Sequence, residues 1–180
     1  MEQSFLRSCK RELINGYAKN RHPFRYFSLA TTNNGISRQR TVVLRKLLDD
    51  FTFVFFTDSR SQKVIDIKNN KSVSALFYHP KKLLQIRVEG DAKIISDEST
   101  LNNYWENIND NSKKDYTTYL KPGSIIKNPE NVSYNLEAHN FCVIHIVPHT
   151  IEYLQLKRPN HLRILFSGKG TDWKGQFIVP

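Results

Sequence analysis

Short runs of β-branched and aromatic residues alternate with turn sequences from Phe24 to the C-terminus, and this pattern limits the chain to a mainly β fold. Sequences such as Asn33-Asn-Gly35, Asp49-Asp50 and His79-Pro-Lys-Lys82 mark the turns. Consecutive strands joined by short turns pair antiparallel. The expected strands are Tyr26 to Ala30, Thr41 to Leu47, Thr52 to Thr57, Val73 to Tyr78, Leu83 to Ile95, Phe141 to Val147, Thr150 to Leu156, His161 to Phe166 and Trp173 to Val179, with a hairpin turn at Gly168-Lys-Gly170.

Three segments carry helical spacing instead. Residues 5 to 17 place apolar side chains three and four positions apart, which is typical of an amphipathic helix. A short helix is expected from Ser61 to Asn69, with Val64, Ile65 and Ile67 as its apolar stripe, and another from Asp97 to Asn107. The pattern therefore predicts one domain, residues 1 to 180, built as an antiparallel split β-barrel with peripheral α-helices.

Composition excludes several classes of protein. No apolar run is long enough to span a bilayer, and the first residues lack the plan of a secretory signal, so we expect a cytoplasmic protein without a membrane partner. Cys9 and Cys142 lie far apart without a CxxC pairing, which argues against a disulfide framework and against a zinc site. No metal is expected.

The formal net charge of +10 could attract nucleic acid, acidic lipid or an anionic small molecule. Lysines and arginines are spread along the chain rather than gathered into a basic tail or arm. This distribution makes nucleic acid an improbable partner and is compatible with a field that draws in phosphorylated ligands.

Three segments in a fixed order indicate a ligand site. They are Arg40-Thr-Val-Val-Leu-Arg45, Phe55-Phe-Thr-Asp-Ser-Arg-Ser-Gln-Lys63 and Gln85-Ile-Arg-Val-Glu-Gly90. In the second segment Ser61 stands where a strand gives way to a helix, and Lys63 follows in the first helical turn. Free backbone N–H groups at a helix start attract phosphate, and a lysine there is otherwise unfavourable to the helix dipole.

Gln85, Arg87 and Glu89 share one face of the third segment's strand. A glutamine amide offers both a donor and an acceptor, so Gln85 can pair with the carbonyl and imino edge of a pyrimidine-like ring. The three segments together therefore indicate a site for a phosphorylated flat heterocycle.

In these segments the chain resembles the pyridoxamine 5'-phosphate oxidase-like, FMN-binding split-barrel family. The resemblance extends to the end of the chain, where Ile151-Glu-Tyr153 and Trp173 to Pro180 are similar to the family's closing strands, but it leaves out residues 100 to 140. It implies an FMN cofactor at the interface of a homodimer, and a small-molecule substrate.

The resemblance also assigns roles to residues. Arg40 and Lys63 would hold the FMN phosphate, helped by Thr57 and Ser61. Backbone groups of Val42 and Val43 would lie along the isoalloxazine ring. The full set of expected cofactor-binding residues is Arg40, Thr41, Val42, Val43, Phe56 flanking the ring, Thr57, Ser61, Gln62, Lys63, Gln85 at the pyrimidine edge, and Arg163 reaching the flavin of the other subunit.

The chain departs from the oxidase pattern at positions that concern the reaction. Gln62 replaces a second basic residue, Leu154 replaces a tryptophan that covers the flavin, and Asn160-His-Leu-Arg163 does not match the substrate motif residue by residue. Arg45 keeps the positive charge expected near a substrate phosphate. Three functions stay open: an FMN-dependent oxidoreductase of undefined substrate, a flavin- or small-ligand-binding barrel without turnover, and a basic barrel that binds nucleic acid.

Overall fold

The computed structural model describes residues 1–135 and 137–180, and most of its regular structure is one antiparallel sheet of nine strands. The helices are α1 (Glu2–Ala18), α2 (Gln62–Asn69), α3 (Glu98–Glu106) and α4 (Asp110–Lys113). The strands are β1 (Tyr26–Asn33), β2 (Ile36–Val43), β3 (Lys46–Leu47), β4 (Phe53–Asp58), β5 (Ser72–His79), β6 (Leu84–Ile94), β7 (Phe141–Gln155), β8 (Leu162–Lys169) and β9 (Asp172–Phe177).

The sheet curls into the expected split barrel. Its main path runs β2-β1-β5-β6-β7-β4-β3, while β8 pairs with the far part of β7 and β9 pairs with β8. The mainly β fold with peripheral helices is therefore confirmed. In the described part of the chain, no helix combines the length and the apolar character needed to cross a bilayer.

The barrel closes where the chain leaves β2. The backbone N–H of Leu44 donates to Arg25 O at 2.8 Å beside β1, and the next N–H, of Arg45, donates to Val54 O at 2.9 Å in β4. One continuous strand from Thr41 to Leu47 was expected. The structure breaks it here because the two consecutive amides bond to opposite edges of the barrel.

The long strand β7 replaces two expected strands. Pro148 lies in the middle of it and pairs with Gly90 of β6, where the register shifts by one position after Glu89. Proline has no N–H to donate to a ladder, so a strand continues through it only at such an irregularity. A Cβ on Gly90 would lie 2.2 Å from Val147 O, which explains the need for glycine opposite Pro148.

Aromatic rings fill the interior of the barrel. The Phe77 ring lies 4.7 Å from that of Phe27, 5.5 Å from that of Phe24 and 5.7 Å from that of Phe53, and all four side chains are buried. Helix α1 closes one side of this core with Leu6, Cys9 and Leu13. The apolar spacing of residues 5 to 17 is thus explained.

A second apolar cluster lies outside the barrel. Val54 and Phe56 of β4 and Phe141 and Val143 of β7 pack against α3, whose Tyr104 ring is 5.3 Å from that of Phe56. Helix α3 begins as predicted, since the Asp97 carboxylate accepts a hydrogen bond from Thr100 N at 2.8 Å. The cluster holds α3 over the outside of β4.

Truncation of Phe77 should destabilise the barrel core. We expect Phe77→Ala to lower the free energy of unfolding by about 3 to 5 kcal/mol, because it leaves a cavity among three other phenyl rings. Urea denaturation measures the change, and Ile36→Ala, at an exposed site of β2, is the control with an expected change within about 0.5 kcal/mol. Equal costs for the two variants would contradict this account of the core.

Candidate functional site

The start of α2 gathers hydroxyl groups around a lysine. Thr57, near the end of β4, and Ser61, just before α2, are both buried, and their hydroxyl oxygens lie 3.2 Å apart. The Lys63 ammonium donates to Thr57 Oγ1 at 2.9 Å. Ser61 takes the N-cap position as predicted, but its hydroxyl faces Thr57 rather than capping the helix. In the first turn of α2, Val64 N donates to Ser61 O at 3.0 Å, whereas the amides of Gln62 and Lys63 have no acceptor among the described residues.

The Lys63 ammonium has no acidic partner within salt-bridge distance among the described residues. Burial lowers its pKa below the ordinary lysine value, and the nearby positive charge of Arg40 lowers it further. The partly buried Lys63 ammonium thus has a hydroxyl partner but no negative charge beside it to compensate its own. A bound anion would complete it.

Arg40 lies at the same end of the barrel. It pairs with Leu29 of β1 in the strand register, so its side chain shares the inner face of the sheet and reaches α2. Its Nη1 donates to Thr31 Oγ1 at 2.7 Å and to Leu29 O at 3.2 Å, and its Nη2 lies 3.5 Å from the Asp66 carboxylate. Arg40 is close enough for its charge to lower the pKa of Lys63. We call Arg40, Thr57, Ser61 and Lys63 the phosphate cluster after the ligand predicted for them, which stays a prediction.

Asp66 is the residue that sequence reasoning missed. The predicted apolar stripe of α2 included Ile65, yet Ile65 is exposed and Asp66 is fully buried against β1 and β2. Gln62 also differs from its expected role, since its amide donates to Asp66 Oδ1 at 3.0 Å. The spacing of four residues between Gln62 and Asp66 was the available signal for this pair.

A separate cationic pocket of about 570 Å³ lies on the other side of β4. Phe56 and Thr57 are neighbours that point to opposite sides of this strand, so β4 separates the pocket from the phosphate cluster. The lining consists of Arg25, Arg45, Lys46, Phe56, Tyr104 and Ile108, with the amides of Asn20, Asn107, Asn109 and Asn111 and the hydroxyl of Ser112. None of these lining residues is acidic.

Arg45 is the most constrained cation of this pocket. Its guanidinium carbon lies 5.5 Å from the centre of the Phe56 ring, and its Nε is buried without a hydrogen-bond acceptor among the described residues. A buried guanidinium N–H without a partner is costly. Arg45 thus lines a pocket, and its contact with a substrate stays a prediction.

Gln85 and Arg163 lie apart from the phosphate cluster. Gln85 follows the buried Leu84 and precedes the buried Ile86, so it points away from the core, as do Thr41 and Val43 on β2. Arg163 pairs across the sheet with Leu154 on the same outer side, where its Nη2 donates to Glu152 Oε2 at 2.9 Å. Within one chain, these side chains do not meet Arg40 or Lys63. We call this side of β1, β5, β6, β7 and β8 the outer face.

Arg60 connects the phosphate cluster to the loop after α4. Its guanidinium pairs with the buried Asp58 at 2.7 Å and also donates to the carbonyl oxygens of Thr118 at 2.8 Å and Tyr119 at 2.9 Å. Sequence reasoning assigned Arg60 no role. Carbonyl acceptors in an irregular loop leave no periodic signal in a sequence.

Comparison with known proteins identifies the family to which the chain belongs. The model of the pyridoxamine 5'-phosphate oxidase FMN-binding domain matches residues 2–96. A pyridoxine/pyridoxamine 5'-phosphate oxidase of Wolbachia pipientis wMel is 27% identical in an alignment of 172 residues that covers 85% of this chain and 77% of that protein. The corresponding oxidase of Aliarcobacter butzleri is 39% identical over 75 residues, 42% of this chain and 35% of that protein.

Solved structures share the fold. A pyridoxamine 5'-phosphate oxidase-related, FMN binding protein of Nostoc punctiforme has a TM-score of 0.79 at 24% identity and covers 96% of each chain. PhzG of Burkholderia lata, in complex with tetrahydrophenazine-1-carboxylic acid, has a TM-score of 0.73 at 17% identity and covers 99% of this chain and 90% of that one. The chain therefore shares its fold with both of these proteins.

The lowered pKa of Lys63 predicts a pH dependence of anion binding. Only protonated Lys63 attracts a phosphate, which is fully dianionic above its second pKa of about 6. Affinity for FMN should therefore be highest near neutral pH and fall as pH rises through the lowered pKa of Lys63 in the free protein, below the ordinary lysine value of about 10.4. Quenching of flavin fluorescence at increasing pH measures this fall.

The matched control is Lys63→Arg, because a guanidinium stays protonated over the whole range. Its FMN affinity should change less with pH than that of the native protein. Identical pH profiles for the two proteins would show that Lys63 does not contact the anion.

Proposed function

Because the chain belongs to the pyridoxamine 5'-phosphate oxidase FMN-binding domain family, we propose that it is an FMN-dependent oxidoreductase acting on a small anionic substrate. FMN is the cofactor of this kind of domain. The observation that carries the proposal is the pair of cationic sites on the two sides of β4: one suits the cofactor phosphate, and the other suits a substrate anion.

The residues of the phosphate cluster fit the phosphate of FMN. Lys63 is a partly buried cation that lacks an acidic partner, and the hydroxyls of Thr57 and Ser61 lie next to it. The amides of Gln62 and Lys63 at the start of α2 add donors to the same place. In this proposal Lys63 and Arg40 carry the opposing charge, and Gln62, which is engaged with Asp66, contributes less than a basic residue would.

When bound, FMN supplies the two-electron acceptor of the reaction. The chain supplies binding and orientation. The Arg45 guanidinium beside the Phe56 ring, together with Arg25 and Lys46, gives the pocket the positive charge that attracts the substrate anion. Helix α3 covers Phe56 through Tyr104 and so limits the access of water to this side of β4.

The substrate anion is a phosphate or a carboxylate. The curated relatives act on phosphorylated pyridoxine and pyridoxamine, while the related fold of PhzG holds a carboxylic acid. Three cations, Arg25, Arg45 and Lys46, line the pocket, and either anion would complement their charge.

We also propose that two copies associate through the outer face. Leu76 is 37% exposed, and Tyr26 and Tyr78 on the same face are 54% and 49% exposed. Such a patch of apolar side chains on a sheet face is typical of an interface. A second copy would also bring Gln85 and Arg163 toward a flavin that one chain alone cannot surround.

Removal of the Arg45 side chain should weaken substrate binding. We expect Arg45→Ala to raise the half-saturating substrate concentration about tenfold or more, because one charge-assisted hydrogen bond contributes about 1.5 to 3 kcal/mol. The measurement is anaerobic loss of the oxidised FMN absorbance on addition of pyridoxamine 5'-phosphate, pyridoxine 5'-phosphate or reduced nicotinamide dinucleotides. Arg7→Ala, at an exposed position of α1, is the matched control and should behave like the native protein.

Two results would contradict the proposal. A colourless protein that does not bind added FMN would remove both the cofactor site and the reaction. A protein that binds FMN but is reduced by none of these donors would be a flavin carrier without turnover.

Disruption of the apolar patch should separate the two copies. We expect Leu76→Asp to convert a native dimer into a monomer, since the substitution places a charge inside the interface. Sedimentation velocity measures the mass of both proteins. Ile14→Asp on α1, where the native side chain is 38% exposed, is matched in exposure and should leave the dimer intact. A monomeric native protein would contradict the proposed association.

A further inference from the structure

The buried carboxylate of Asp66 is the centre of a polar network between α2 and the first two strands. Its side chain is 0% exposed. It accepts hydrogen bonds from Thr31 Oγ1 at 2.8 Å and Gln62 Nε2 at 3.0 Å, and longer ones from Asn33, Arg38 and Arg40 at 3.3 to 3.5 Å. The network holds two arginines of β2 on the inner side of the sheet.

Apolar contacts also attach α2 to the barrel. Val64 and Ile67 already bury their side chains on the same side of the helix. A buried ion pair adds little stability compared with apolar side chains of similar volume. Burial by itself would raise the pKa of Asp66, but the bonds from Gln62 and Thr31 and the charge of Arg38 keep this pKa below its ordinary value, so the group is ionised.

The arrangement restricts the guanidinium of Arg40. Two N–H groups of Nη1 are bonded to Thr31 and Leu29, and one of Nη2 faces Asp66. A guanidinium has five N–H donors in one plane, so its remaining donors are held in a fixed direction. Lys63 is close enough to Arg40 for the arginine charge to lower the lysine pKa. The donors that remain, Nε–H and one Nη2–H, are those that Arg40 can offer to an anion.

We propose that Asp66 is a positioning residue for the cofactor: it fixes Arg40 in the orientation in which the guanidinium binds the FMN phosphate. This inference rests on the proposed placement of the phosphate at Arg40 and Lys63. A carboxylate this near to a phosphate also repels it. Positioning and repulsion therefore predict opposite effects of removing the charge, and the sign of the effect separates them.

The test uses Asp66→Asn, which keeps the shape of the side chain and removes its charge. We expect the variant to bind FMN about tenfold more weakly, because Arg40 is no longer held in place to donate to the phosphate. A tenfold change is about the effect of losing one hydrogen bond to a charged group. Binding of riboflavin, which lacks the phosphate, should change less than about twofold. Titration of protein into each flavin, followed by fluorescence quenching, gives both dissociation constants.

Asp91→Asn is the matched control, because Asp91 is paired with Lys71 at 2.9 Å and does not contact Arg40. It removes the same charge and should leave both flavin affinities unchanged. A second variant, Thr31→Val, removes the nearest acceptor of Arg40 and should also weaken FMN but not riboflavin. Thr31→Val decides the question if circular dichroism shows that Asp66→Asn is unfolded.

Arg40→Ala separates this inference from the proposed phosphate site. If Arg40→Ala binds FMN as the native protein does, the phosphate is not at Arg40. The proposed phosphate site and the positioning role of Asp66 are then both wrong. If Arg40→Ala weakens FMN while the folded Asp66 or Thr31 variant binds it equally well or more tightly, only the positioning role is overturned. Equal weakening of FMN and riboflavin by these variants would likewise overturn it, because it would mark a general structural effect.

Discussion

The change of partner at Leu44 and Arg45 is the constraint on which the rest of the structure depends. Two consecutive amides bond to Arg25 O and to Val54 O, and this step joins the β1 side of the sheet to β4. It closes the barrel around the aromatic core. It also separates the two arginines of one short segment. Arg40 lies on the inner side of the sheet beside α2, whereas Arg45 lies beside Phe56 in the cationic pocket.

Local patterns predicted most of the fold. The helices near Cys9, Lys63 and Tyr104 and the strands of the meander follow from apolar spacing and turn residues, because each is decided by neighbours in sequence. The failures have longer-range causes. The break after Val43 depends on β4, and the continuity of β7 through Pro148 depends on the irregularity opposite Gly90 in β6. Neither partner is visible in the segment itself.

The candidate site divides in the same way. The grouping of Lys63, Ser61 and Thr57 could be predicted because a strand end and a helix start lie within a few residues of one another. The burial of Asp66 could not, since it depends on Thr31 and on two arginines that reach α2 from another part of the chain. Gln85 and Arg163 occupy the outer face, and their roles at the flavin stay predictions that one chain cannot decide.

The contacts of Arg60 have a consequence for the loop after α4. Through one guanidinium, the turn that precedes α2 is joined to the carbonyl oxygens of Thr118 and Tyr119. Two segments that share a rigid connection cannot change their order independently, and such coupling is reciprocal in free energy. If an anion orders the turn, it also restrains the loop, and a molecule that restrains the loop would then raise the affinity of the turn for its anion by the same factor.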